Sequence, residues 1–237
     1  MKRFLIAAGF VVGFPNDILA EEPEEEPTWQ LYAAVSVTSD YRFNGVSLSD
    51  RKPAAQASLH AAHLNGWFAG VWLSTVDFKD PGQTSAELVV YAGRRWRSDD
   101  RGFWIQGTYS AYDEQVPGPT YDFAQFSAGA TQSIGRTTFG MNTAWSPEGS
   151  YGAGQTLQIR GEAAYTLKPW LTASAHIGRG LIENATDRTY WDAGIRVKPG
   201  KLSFDVRWVD TNLDEPQCGY TNRCTGGIVG TITLATY

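Results

Sequence analysis

The stretch WQLYAAVSVTSDYRFNG, Trp29–Gly45, decides the fold class. Every second residue from Trp29 gives Trp, Leu, Ala, Val and Val, then Ser39, Tyr41 and Phe43. The alternate set gives Gln30, Tyr32, Ala34, Ser36 and Thr38, then Asp40, Arg42 and Asn44. The first set is mostly apolar and the second mostly polar. A period of two places them on opposite faces of a strand. The alternation holds for about fifteen residues, longer than most strands of soluble proteins. One face therefore needs an apolar medium along its length, and the other a polar space.

The start of the chain bears on which medium that is. Lys2 and Arg3 precede an apolar run from Phe4 to Phe14, and PNDILA ends in a small residue before Glu21. This is the pattern of a secretory signal peptide over residues 1–20, cut after Ala20. The run is too short to read as a spanning anchor. EEPEEEP follows, and residues 21–28 read as a solvated, disordered acidic tail. The folded part is then expected over residues 29–237, in a chain that leaves the cytoplasm.

The chain has 20 Lys and Arg against 25 Asp and Glu, and five of those acids sit in the tail. The remainder is nearly neutral. No basic stripe with interleaved aromatics argues for nucleic acid. The two cysteines, Cys218 and Cys224 in CGYTNRC, are expected to form a local disulfide in an exported chain. No histidine near them in sequence suggests a metal, and no cofactor is expected. No later segment is apolar for eighteen residues, and mean hydropathy is −0.31. Yet there are 9 Trp, 11 Tyr and 11 Phe. Two classes fit this: a secreted β-sandwich, or a membrane barrel whose strands give a weak hydropathy signal.

The connections separate the two classes. After the first strand, alternating runs are predicted at 54–63, 67–76, 85–96, 103–112, 121–132, 137–145, 156–167, 171–178, 190–197, 202–209 and 227–237. Short turns such as LNG, SIGR, KPW and KPGK alternate with longer loops such as GVSLSDRKP, DEQVPGPT and SPEGSYGAGQ. Odd connections are long and even ones short or of middling length. That sorting belongs to barrels with turns at one end and loops at the other, and a Greek-key sandwich has no reason for it. The predicted fold is all-β: an antiparallel up-and-down transmembrane β-barrel of about twelve strands. Aromatics near strand ends, from Trp29, Tyr41 and Phe43 through Trp67, Trp104 and Trp145 to Tyr190 and Trp208, are expected in two interfacial girdles. The closing Tyr237 fits a strand handed to the barrel assembly machinery, although Ile228, Ile232 and Leu234 have the other parity.

If apolar residues face lipid, the other parity lines the lumen. It selects Asp40 and Arg42 on the first strand, Glu87 on the fourth, and Arg160 and Glu162 on the eighth. It adds Asp192 and Arg196 on the tenth and Asp205 and Arg207 on the eleventh. The signs nearly cancel. Balanced charge reads either as a hydrated, weakly selective pore or as cross-strand ion pairs that narrow the lumen. Twelve strands lie between barrels filled by side chains and those enclosing a channel.

A search for a nucleophile and its base yields nothing comparable. His60 and His63 lie near a short turn, His176 has inward parity, and no G-x-S-x-G occurs. Gly149–Gly154, GSYGAG, lacks the strand-to-helix setting of a phosphate loop and reads as an outer loop. The chain is not expected to be an enzyme.

SDYRFNGVSLSD, the alanine-rich run Ala54–His63 and the G-x-x-x-G-x-W pattern of Gly66, Gly70 and Trp72 form one segment, Val37–Phe78. It is similar to the N-terminal signature of the TorF-type porins, a family earlier catalogued as Gcw_chp, conserved proteobacterial proteins of unknown function. The resemblance implies an outer-membrane barrel of a Gram-negative bacterium and brings no catalytic residues. The expected function is a passive channel for small solutes or ions, with outer-membrane lipid as surroundings. The alternative is a structural or surface-interaction barrel with a closed lumen.

Overall fold

The computed structural model describes residues 28–113 and 120–236. The expected signal peptide, residues 21–27 of the tail, and Tyr237 lie outside the described residues. The chain forms a closed antiparallel barrel of twelve strands. These are β1 (Trp29–Thr38), β4 (Ala54–His63), β5 (Trp67–Thr75), β6 (Ala86–Arg97), β7 (Arg101–Tyr112), β8 (Phe123–Ile134) and β9 (Thr137–Ser146). They continue as β10 (Thr156–Lys168), β11 (Leu171–Ile182), β12 (Arg188–Val197), β13 (Leu202–Thr211) and β14 (Gly227–Ala235). Each pairs with the next in sequence, and β1 closes the ring on β14 with Ala34 opposite Ala235 and Thr38 opposite Thr231.

One further pair, β2 (Arg42–Phe43) and β3 (Val46–Ser47), is a separate two-stranded hairpin. This corrects the sequence reading. The alternation of Trp29–Gly45 suggests one long strand, but β1 ends at Thr38. Asn44 and Gly45 both have positive φ, 51° and 85°, which is the two-residue turn that Asn-Gly favours in tight hairpins. Arg42 pairs with Ser47 and Phe43 with Val46 across it. Asp40 and Arg42 therefore sit on an inturned hairpin, not on the wall strand.

Barrel faces follow the parity. Leu31, Val35, Phe126, Met141, Ile177 and Val206 point outward, and Leu31 and Met141 are each 66 % exposed. A belt of bare apolar side chains around the ring is a surface for hydrocarbon rather than water. Trp29, Trp67, Trp96, Phe103 and Trp170 border it at the short-turn end. The Arg94 guanidinium lies 5.3 Å from both the Trp67 and Trp96 rings, and Lys168 Nζ lies 5.5 Å from Trp170. Such cations reach past the apolar rim to water. Four of the rings named for the girdles turn inward instead, Phe43 among them on the hairpin and bordering the lumen. Tyr41 and Tyr190 are buried, and Trp104 faces the lumen.

The long connections at the other end hold one another. The Asp77 N–H donates to Leu48 O at 2.8 Å, and Phe78 packs edge-on against Tyr121 at 4.7 Å. Tyr121 stacks on Tyr151 at 4.9 Å, and Asn184 Nδ2 donates to Gly152 O at 3.2 Å. The Asn212 N–H donates to Thr189 O at 2.9 Å, and Arg51 Nη1 donates to Thr225 O at 2.7 Å. The contacts link the first five loops in series and tie the last loop to the first, while Asn212 bonds Thr189 on β12 and extends the β12–β13 ladder. Cys218 and Cys224 form a disulfide in the last one, with Cα atoms 6.2 Å apart.

Candidate functional site

The inward faces enclose a cavity of about 460 Å³, bordered by residues of every barrel strand and by the hairpin. Asp40 anchors that hairpin. It is 7 % exposed, and its carboxylate accepts from Ser47 Oγ at 2.6 Å and from Arg42 Nε at 2.6 Å. Arg42 Nη1 donates to Gly45 O at 3.1 Å, and the Tyr41 N–H donates to Ser49 Oγ at 2.9 Å. At the tip, Asn44 Nδ2 donates to Gln158 Oε1 at 2.8 Å. Gln158 is on β10, five places round the ring from β1 and almost opposite it. The hairpin thus crosses the lumen and is tied at both ends.

Glu87 faces inward at the root of the hairpin but is only 1 % exposed. Its two oxygens accept from the Tyr41 and Tyr112 hydroxyls, each at 2.9 Å. It holds the hairpin and does not border the cavity. The remaining sequence-selected residues gather on one wall, β10–β13. Glu162, His176 and Asp192 stand side by side in register, and Arg196 stands opposite Asp205. His176 Nδ1 is 2.5 Å from Asp192 Oδ1, which sets the proton on Nδ1, and Nε2 is 3.9 Å from Glu162 Oε2. Arg207 pairs with Asp192 and with Asp205 Oδ1 at 2.7 Å. Arg160 Nη2 is 3.7 Å from Asp192 Oδ2, and Arg196 Nε is 3.2 Å from Asp205 Oδ2. Arg160, Asp192, Arg196 and Arg207 border the cavity, while Glu162 and Asp205 lie beneath their neighbours.

The opposite wall, β5–β9, is different. It borders the cavity with Trp72, Trp104, Gln106, Gln125, Ser127 and Asn142, with no charge among them. Sequence reasoning missed these because it screened inward positions for charge alone. The parity was sufficient: Phe103 and Ile105 face out, so Trp104 and Gln106 face in.

Glycines keep this lumen from filling. Tyr91 stands opposite Gly70, Trp104 opposite Gly129, Glu162 opposite Gly140, Tyr190 opposite Gly178 and Arg207 opposite Gly194. A Cβ on any of these glycines would collide with the side chain across from it; at Gly129 it would lie 2.6 Å from the Trp104 indole. Each large side chain therefore lies over a bare stretch of the neighbouring strand instead of standing into the lumen.

Comparison with known proteins agrees with this architecture. A KdgM porin superposes with a TM-score of 0.58 at 6 % identity, covering 87 % of this chain and 98 % of that one. The COG4313 outer membrane channel from Pseudomonas putida F1 gives 0.55 at 10 % identity, covering 92 % and 99 %. A comparison with curated proteins finds no match. The sequence itself fits one family profile over residues 22–234, and the chain belongs to that family, Gcw_chp, bacterial proteins of unknown function.

Proposed function

We propose that the protein is an outer-membrane channel of a Gram-negative bacterium that passes small polar solutes or ions passively, in line with its resemblance to TorF-type porins. The observation that carries this reading is the polar cavity that the inward faces and the hairpin enclose. Arg160, Asp192, Arg196 and Arg207 would be the charged groups a solute meets there, while Asp40 and Arg42, both buried, hold the hairpin. Single-channel recording in a planar bilayer tests it. Reproducible conductance steps are the expected result, and a silent bilayer holding folded protein rejects the channel.

The bond from Asn44 to Gln158 across the lumen favours a second reading. In it the lumen stays shut and the loop end meets partners outside the cell. A silent bilayer is what that reading requires. Lipid as the barrel's medium has its own test. Met141, midway along β9 and outward, should tolerate Leu, whereas Met141→Arg should cost about 2–4 kcal/mol near the bilayer midplane. Urea titration of the barrel folded into lipid vesicles, read on heat-modifiable gel mobility, measures this. A cost near zero would mean that β9 does not face hydrocarbon.

A further inference from the structure

Arg188 opens β12 with inward parity, two places from Tyr190. Its Nε is enclosed and donates to no acceptor among the described residues. Asp187, next to it in sequence, is turned to Arg179 Nη2 at 3.2 Å and to the Ile182 N–H at 3.0 Å. Arg160 Nε on β10 is likewise enclosed and without an acceptor among the described residues. The Asp192 carboxylate stands 3.7 Å from Arg160 Nη2, beyond hydrogen-bond reach. Donors enclosed in this way cost stability until something accepts from them.

Register and two glycines turn these arginines towards each other. Gln158, Gly180 and Arg188 stand in one row across β10, β11 and β12, and Arg160, Gly178 and Tyr190 in the next inward row. Two strand spacings, about 10 Å, separate the outer strands of the three. Arg188 lies over Gly180, where a Cβ would meet its Cγ at 3.5 Å and its Nε at 3.9 Å. Tyr190 lies over Gly178, its hydroxyl against the bare backbone. Arg160 reaches the other way, across β11 towards Asp192. Both cations are close enough to the Tyr190 hydroxyl to act on it electrostatically. The hairpin tip closes over the place. Asn44 holds Gln158 on β10, and Gly45 sits against Asp210 and Thr211 on β13, so the tip spans β11 and β12.

The missing partner is an anion that accepts from several directions. A carboxylate's two oxygens lie in one plane and suit a single guanidinium fork. Phosphate or sulfate carries four oxygens around one centre, enough for both Nε–H groups and the Tyr190 hydroxyl. The hairpin tip overhead suits an ion rather than a chain. The wall also has a cation to spare, with Arg160, Arg188, Arg196 and Arg207 against Glu162, Asp192 and Asp205.

We propose that Arg160, Arg188 and Tyr190 form a binding site for a tetrahedral oxyanion of the phosphate or sulfate class, roofed by the Asn44–Gly45 tip. It rests on the channel reading for how the anion arrives, though not for whether it binds.

Full-length protein in detergent and Tris-chloride buffer is titrated calorimetrically with sodium phosphate, with sodium sulfate and, as control, with sodium chloride of matched ionic strength. Phosphate or sulfate should give a saturable heat and chloride none. Arg188→Gln and Arg160→Gln should each weaken binding about tenfold or more, the size of a lost hydrogen bond to a charged group. Urea unfolding separates this from a structural arginine. In chloride alone Arg188→Gln should unfold at or above the wild-type midpoint, because an enclosed cation has gone. Phosphate should raise the wild-type midpoint and leave that of the variant unmoved. A lower midpoint for Arg188→Gln in chloride, with phosphate binding intact, makes Arg188 structural and overturns the site. So does equal heat from chloride, or a wild type that binds neither phosphate nor sulfate. A silent planar bilayer removes the channel reading alone, since the calorimetry needs no conduction.

Discussion

Replacing Arg42–Ser47 with two glycines should raise single-channel conductance about twofold or more, because the lumen would then be limited by the wall alone. The substitution is geometrically mild. The Leu48 N–H donates to Tyr41 O at 2.7 Å, so the two ends already stand as a pair that a two-residue turn can join. Asp40→Asn belongs in the same variant, since Asp40 would otherwise lose Ser47 and Arg42 and remain a buried charge. Tyr41 is retained, so Glu87 keeps both of its hydroxyl donors. The barrel should therefore stay folded and heat-modifiable. Asn44→Ala is the lighter companion: it cuts the tie to Gln158 and leaves the root in place. It should change the current noise more than the mean conductance. Unaltered conductance in the shortened variant would show that the hairpin is not the narrowest point.

The second large effect is expected at Asp192. This one carboxylate faces His176, Arg207 and Arg160. On that wall Arg160, Arg188, Arg196 and Arg207 stand with Glu162, Asp192 and Asp205, one positive charge in excess. Asp192→Ala leaves two guanidinium groups short of a counter-charge. Breaking a buried pair from one side costs about 3–5 kcal/mol, and a site that borders a polar cavity should fall near 3. Urea titration in vesicles reads that cost. The same variant adds one positive charge to the wall's net balance, so the reversal potential across a salt gradient should move towards anion preference. Asp192→Asn should recover part of the stability, since it can still bond His176, but none of the selectivity. A stable Asp192→Ala protein would mean that the arginines find water or Asp205 at no cost.

Much of this architecture was legible in the chain. A period of two decides strand faces wherever one side must be apolar, and the sorted loop lengths chose a barrel over a sandwich. Parity also assigned Arg160, Asp192, Arg196 and Arg207 to the lumen side. It failed where the chain left the wall. From Ser39 onward the alternation persists, but the carboxylate of Asp40 binds its own loop and Asn44-Gly45 reverses the chain. The Asn-Gly pair was the local signal for that turn, and the surrounding alternation masked it. Parity also cannot say which inward groups remain uncovered. Glu87, Glu162 and Asp205 have the same pattern as Asp192, and only the neighbours packed over them set them apart. The pairing of Tyr91, Trp104 and Tyr190 with glycines on adjacent strands depends on register, which no single strand reveals.

The first five loops are joined in series, from Asp77 on Leu48 through Tyr121 on Tyr151 to Asn184 on Gly152, and Arg51 on Thr225 ties the last loop to the first. A protease that nicks one loop leaves it held by at least one neighbouring loop, so cleavage should not release the cap from the barrel mouth. A handle is offered by Tyr220, which is 83 % exposed at the turn between the two cysteines. A tag inserted there would stand clear of those contacts, and the Cys218–Cys224 bond would keep its strain from the strands below.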